Sequence, residues 1–180
     1  MVFSSILFLF MYLPVVLGVY YIVPRKWRNP WLLFSNLVFY GWGEPVYIAL
    51  MLFSMVFNFI GGRYVGKYRD VDKKKSKVIL VFVIIVNLAM LAFFKYYNLF
   101  VNTLDIIPGL DISTLNIALP IGISFYTFQK MSYSIDIYRG DCDAQKSFIS
   151  FGTFVSLFPQ LIAGPIVRYK DIASQLNFRA

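Results

Sequence analysis

The sequence predicts an all-α protein, a polytopic transmembrane helical bundle of about five spans followed by a broken or re-entrant sixth segment. Three observations predict it. Of 180 residues, 59% are hydrophobic and 14% charged, and the mean hydropathy is +0.67, well outside the range of a soluble domain. The apolar residues gather in runs of membrane-crossing length, and most Lys and Arg residues fall in short clusters between them. Phe and Tyr dominate the aromatic content, which suits rings placed at both membrane interfaces. A net charge of +8 would also suit a nucleic-acid binder, but basic clusters between apolar runs read as topology signals. The expected partner is therefore the lipid bilayer, with no nucleic acid.

Residues 3–23 form the first apolar run, with Pro14 and Gly18 as tolerated interruptions. The N-terminus has no basic stretch and no small-residue cleavage site, so this run reads as a retained span rather than a signal peptide. The cluster Pro24-Arg25-Lys26-Trp27-Arg28-Asn29-Pro30 follows and belongs in the cytoplasm, which puts the N-terminus outside. Residues 31–42 are a shorter apolar run, and Gly41-Trp42-Gly43-Glu44-Pro45 reads as an external turn into a third helix over 46–60. Residues 63–77 make the most basic loop, cytoplasmic again, and 78–94 are the plainest span, continuing to about 102. The loop 105–118 has two Asp and no Lys or Arg, as an external loop should. Pro120 opens the next helix as its first residue, and that helix runs to Tyr138 with Gly140 as its cap. Arg139 to Lys146 return to the cytoplasm.

The last apolar run, 148–167, contains Pro159 and Pro165, each of which removes a helical donor and clashes one turn back. A full crossing would also carry Arg168, Lys170 and Arg179 outside. A segment that dips in and returns keeps them inside, with its broken backbone packed in protein or lining a wet cavity. The alternative is a helix that ends near Leu157 in an interfacial turn.

The polar residues inside these runs are the candidate site. Ser124, Gln129, Lys130, Ser132, Tyr133 and Asp136 all fall in the helix after Pro120, and Gln129, Ser132 and Asp136 share one face at i, i+3, i+7. Such a stripe faces a bundle interior or cavity, and serves either a substrate path or interhelical hydrogen bonding, with Asp136 and Arg139 paired one turn apart. Lys130 suits a proton relay or carboxylate binding, or else snorkelling or a buried pair. Asn87, the one polar residue in its span, suits an interhelical hydrogen bond of about 1 kcal/mol. Gly61-Gly62-Arg63-Tyr64-Val65-Gly66-Lys67 has the spacing of a phosphate-binding loop, but Tyr68 stands where Ser or Thr is required and no strand precedes it. Cys142 lies between two aspartates with no histidine in the chain, so neither a catalytic thiolate nor a histidine-based metal site is expected. The run 73–77 attracts anionic lipid or a nucleotide-bearing acyl donor, or is simply a solvated topology signal.

Three stretches in order carry a resemblance: Leu119-Pro120-Ile121-Gly122-Ile123-Ser124-Phe125-Tyr126-Thr127-Phe128-Gln129, then Ser132-Tyr133 with Asp136-Ile137-Tyr138-Arg139-Gly140, then Phe158-Pro159-Gln160-Leu161-Ile162-Ala163-Gly164-Pro165-Ile166-Val167-Arg168. Together with Val38-Phe39-Tyr40-Gly41-Trp42 and Glu44-Pro45, they resemble the membrane-bound O-acyltransferase family, and within it the alginate O-acetyltransferase subgroup. The resemblance covers essentially the whole chain. It implies residues 1–180 as the N-terminal part of one transmembrane domain in a bacterial inner membrane, with no bound cofactor.

It further implies transfer of acetyl groups from acetyl-CoA or another acyl thioester on the cytoplasmic side to hydroxyls of an exported polysaccharide, with periplasmic partner proteins. In this family a reactive histidine stands in a later helix. This chain contains no histidine, so it is expected to be inactive alone. On this reading Gln160 and Arg168 orient the donor, and Ser124, Gln129 or Lys130 supply hydrogen bonds to a developing oxyanion. Two readings from other classes remain, half of a transporter and a non-catalytic scaffold of a polysaccharide export complex. The transporter reading predicts an internal repeat, and the sequence shows none.

Overall fold

The computed structural model describes residues 6–104, 119–162, 168, 169, 171 and 172, with the side chains of 98–104 and 162 excepted. Within them the chain is helical and contains no strand. A π-wound turn, Phe8–Tyr12, leads into α1, Leu13–Ile22. Pro14 explains the wider turn, since its ring would collide with a carbonyl one regular turn back. Next come α2, Arg25–Gly43, α3, Ile48–Arg69, and α4, Lys73–Leu104. The chain continues with α5, Ile123–Arg139, α6, Phe148–Ser156, and α7, Phe158–Ile162.

The basic clusters are mostly helical, and here the structure differs from the sequence reading. Arg25, Lys26 and Arg28 form the first turns of α2, which starts directly after Pro24. Pro30 lies inside that helix, where exposed Lys26 can give its freed carbonyl to water. The expected loop 63–77 shrinks to a short turn, because α3 continues to Arg69 and α4 begins at Lys73. Asp72 makes this early start favourable, its carboxylate accepting from the Lys75 N–H at 3.1 Å. Ser76 Oγ then donates to the Val65 carbonyl at 2.9 Å, closing the α3–α4 hairpin.

The start of α5 differs too. Pro120 stands in a turn before the helix, and Gly122 is the N-cap with φ +74°. A Cβ on Gly122 would lie 2.7 Å from the Leu161 carbonyl oxygen, so close approach of α7 and left-handed backbone both require glycine. At its other end α5 stops at Gly140 as read, with the Asp141 N–H reaching back to the Asp136 carbonyl at 2.9 Å.

The break in the last run comes at Leu157, whose extended backbone (ψ 110°) separates α6 from α7. Pro159 sits in the first turn of α7, where no helical donor is lost, and the Leu157 carbonyl accepts from Gln160 at 3.0 Å. Residues 163–167, with Pro165, and the expected external loop 105–118 lie outside the described residues.

α5 is the hub, packed against α3, α4, α6 and α7, while α2 covers α6. Met51, Met55, Tyr126, Tyr133, Phe151 and Val155 fill the centre at no measurable exposure. The outer surface is apolar: Phe82, Ile85 and Val78 of α4 are more than half exposed, while Asn58, Asn87 and Lys130 are buried. Apolar outside with polar inside is the pattern of a membrane-embedded bundle. Two helices, Ile48–Arg69 and Lys73–Tyr97, are long and apolar enough to cross a membrane, and Phe8–Ile22 is a shorter apolar helix.

The Gly122 geometry sets a test. Gly122→Ala is expected to cost about 1–3 kcal/mol, read as a lowered thermal midpoint of the purified protein in detergent, and an unchanged midpoint would contradict the close approach of α7.

Candidate functional site

The site is built on the inward face of α5. Lys130 is completely buried, and its Nζ donates to Ser54 Oγ of α3 at 2.6 Å. The same nitrogen lies 4.4 Å from the centroid of the Tyr126 ring, one turn earlier. Ser54 Oγ passes its own proton to the Met51 carbonyl at 2.8 Å. Among the described residues no carboxylate pairs with Lys130, so a hydroxyl and an aromatic face are what the structure places around this amine.

The polar line continues along α3. The Ser54 carbonyl accepts from Asn58 Nδ2 at 2.8 Å. Asn58 and Asn87 exchange reciprocal amide bonds at 3.0 and 2.8 Å, joining α3 to α4. Asn87 thus has the interhelical role its isolation suggests, and Asn58 is its partner. On the α2 side the hydroxyls of Tyr40 and Tyr126 are buried in the same interior. Asn36, one turn before Tyr40, is fully buried and its side-chain amide has no partner among the described residues. Buried polar atoms without partners call for water or a ligand group.

Gln129 points the other way around α5. Its Nε2 donates to Gln160 Oε1 at 2.7 Å and to the Phe154 carbonyl at 3.2 Å. One side chain therefore satisfies a carbonyl near the end of α6 and fastens α7 across the break. Gln160 is half-buried. Two of the sequence-derived candidates thus meet directly.

The other candidates stand apart. Asp136 is buried near the C-terminal end of α5, where Arg139 is exposed. Ser124 is half-buried in the first turn, one turn from exposed Phe128, and Arg168 is exposed. Neither side chain joins the Lys130 or Gln129 contacts. Ser54, Tyr126 and Tyr40 are the residues that sequence reasoning passed over. The available signal was Ser54 and Asn58 at i, i+4, two polar residues on one face of an apolar helix.

The C-terminal end of the hub is fixed by charge. Arg69 bonds Asp70 at 3.1 Å, reaches Asp143 at 3.5 Å and donates to the Ile137 carbonyl at 3.4 Å. In this loop Gln145 receives two tyrosines: its N–H donates to the Tyr133 hydroxyl at 2.9 Å, and its Nε2 to the Tyr169 hydroxyl at 2.8 Å. Tyr169, beyond α7, therefore lies beside the loop that precedes α6.

The chain that holds this geometry is similar to named proteins. The chain is 43% identical over 183 residues to a protein of Pseudomonas aeruginosa named probable alginate O-acetylase AlgI, covering 99% of this chain and 35% of that protein. Its counterpart of the same name in Azotobacter vinelandii is 42% identical, with 99% and 36% covered. A peptidoglycan O-acetyltransferase of Helicobacter pylori is 30% identical over 206 residues, with 98% and 39% covered. The chain thus spans 35–39% of the length of these relatives. No family model matches it, and no solved structure matches it significantly.

The chain is a membrane protein homologous over almost its whole length to polysaccharide O-acetyltransferases. Within that class its similarity runs to the alginate O-acetylases, in keeping with the membrane-bound O-acyltransferase resemblance of its motifs.

Cys142 offers a probe of the loop beside this site. It is half-buried, and burial together with the carboxylates of Asp136, Asp143 and Asp141 pushes its thiol up to about 11. A raised value keeps the thiol protonated at neutral pH, so maleimide labelling should run about a hundredfold slower than for a free thiol and accelerate toward pH 11. Labelling at the rate of free cysteine, followed by mass spectrometry, would contradict this environment.

Proposed function

We propose that this chain belongs to a membrane-bound O-acyltransferase that passes acetyl groups across the bacterial inner membrane to hydroxyls of an exported polysaccharide such as alginate. The observation that carries this reading is the buried Lys130–Ser54–Tyr126 cluster on α5 and α3, within a chain homologous to named polysaccharide O-acetyltransferases. The donor on this reading is acetyl-CoA or another acyl thioester, and periplasmic proteins receive or present the acceptor.

The proposed topology has five spans, formed by α1 with its π turn, α2, α3, α4 and α5, and a re-entrant sixth segment, α6 with α7. At about 1.5 Å per residue, the 19 residues of α2 and 17 of α5 reach close to the bilayer's apolar thickness. With the N-terminus outside, Arg25, Arg69, Lys73 and Arg139 all fall at cytoplasmic helix ends. The Gln145–Tyr169 bond supports the re-entrant reading, since chain that leaves through α6 is found again beside its own starting loop.

Acyl transfer to a hydroxyl needs a base for the acceptor and hydrogen-bond donors for the oxyanion. Lys130, Tyr126 and Gln129 are donors on one helix, positioned by Ser54, Phe154 and Gln160. Ser124 and Arg168 stand as outer candidates on the substrate path, and Asp136 as its cytoplasmic end. The chain contains no histidine, so a histidine base would have to come from outside these 180 residues.

Deletion of the gene in its native host, followed by measurement of ester-linked acetate on the exported polysaccharide, tests the reading. Acetate should vanish and return with the wild-type gene, while Lys130→Met, close to lysine in volume, should restore less than about a tenth of it at equal membrane abundance. Unchanged acetate in the deletion strain would overturn the proposal.

A further inference from the structure

The cytoplasmic half of α3 carries a pocket separate from the Lys130 cluster. Phe59, Ile60, Arg63, Tyr64 and Lys67 line a cavity of about 530 Å³, within the size range of small-ligand sites. Their spacing of i, i+1, i+4, i+5 and i+8 puts them on one face of the helix. The remaining face, with Gly61, Gly62 and Val65, is buried against Val83 of α4 and Tyr133 and Ile137 of α5. The stretch that mimics a phosphate-binding loop is therefore regular helix, whose glycines serve close packing.

Its cations are nevertheless uncompensated. Arg63 and Lys67 are one turn apart, an arrangement in which like charges repel. Among the described residues neither has a carboxylate within ion-pair distance, although the next arginine, Arg69, holds both Asp70 and Asp143. The Arg63 guanidinium lies 5.8 Å from the centroid of the Phe59 ring, held over the pocket wall. The walls supply an aromatic and aliphatic surface, and the rim supplies two cations. That combination recognises an anion joined to an apolar or planar group.

We propose that Arg63 and Lys67 bind a phosphate ester in this pocket, with Phe59, Ile60 and Tyr64 covering the group attached to the phosphate. Two sources share this chemistry: the headgroup of an anionic phospholipid, and a soluble phosphate ester of the coenzyme A type. The site itself stands on geometry and charge, and only the second source rests on the acyl-transfer reading above.

The test uses the complete product of the native gene, purified from its own membranes and placed in nanodiscs. Coenzyme A is titrated by calorimetry, and retained phosphatidylglycerol is counted by native mass spectrometry against phosphatidylcholine nanodiscs. The double variant Arg63→Gln/Lys67→Gln should lose one of these two by about tenfold or more, while Arg63→Lys keeps most of it. Loss of coenzyme A binding assigns the soluble source, and loss of retained phosphatidylglycerol assigns the lipid. If neither probe binds the wild type, or both bind wild type and double variant alike, the site does not exist as proposed. That failure would leave acyl transfer untouched, since acyl transfer is read from polysaccharide acetate.

Discussion

Burial of the polar face of α5 is the constraint on which the rest of the structure depends. A helix with Gln129, Lys130 and Asp136 among its turns cannot present them to hydrocarbon, where each unsatisfied group costs several kcal/mol. It must be surrounded by protein, and α3, α4, α6 and α7 surround it. Three of these neighbours meet it with a specific partner: α3 offers Ser54 to Lys130, α6 offers the Phe154 carbonyl to Gln129, and α7 offers Gln160 to the same amide. The α3–α4 pair is in turn locked by Asn58 and Asn87.

The break at Leu157 follows from the same constraint. An uninterrupted helix over the last apolar run would carry Gln160 away from Gln129 and leave that amide with one carbonyl. Ending α6 at Ser156 lets α7 fold across the start of α5, close enough that Gly122 cannot carry a side chain. Tyr169 then packs on Phe154 and Tyr133 and takes the Gln145 amide. The interior that results is polar toward α5 and sealed by aromatic rings, the environment in which hydrogen-bond donors act most strongly on a developing charge.

Much of this was legible in the sequence because its signals are local. The hydropathy runs, the i, i+3, i+7 stripe, Gly140 as a cap and the interruption of the last run all follow from residue type and spacing. What was not legible depends on contacts distant in sequence. Ser54 is an ordinary small polar residue until Lys130 arrives 76 positions later. The basic clusters carry no signal for backbone conformation, and Asp72 and Ser76 extend the helices into what reads as loop. Pro120 suggests a helix start, but the nearness of the Leu161 carbonyl places the cap at Gly122. The pocket at Arg63 and Lys67 emerges only when the helix face they share is seen to be unpaired.

The central claim is that the chain past Leu157 folds back so that α7 closes on α5, and the Gln129–Gln160 contact is its most direct expression. Gln129→Cys with Gln160→Cys, in a Cys142→Ser background, places two thiols where the amides now touch. Short bifunctional maleimide treatment of native membranes should link them within one chain, while Phe128→Cys with Gln160→Cys, on the exposed side of α5, should not. Linkage of the second pair and not the first would mean that α5 turns its polar face elsewhere, and the account would fall.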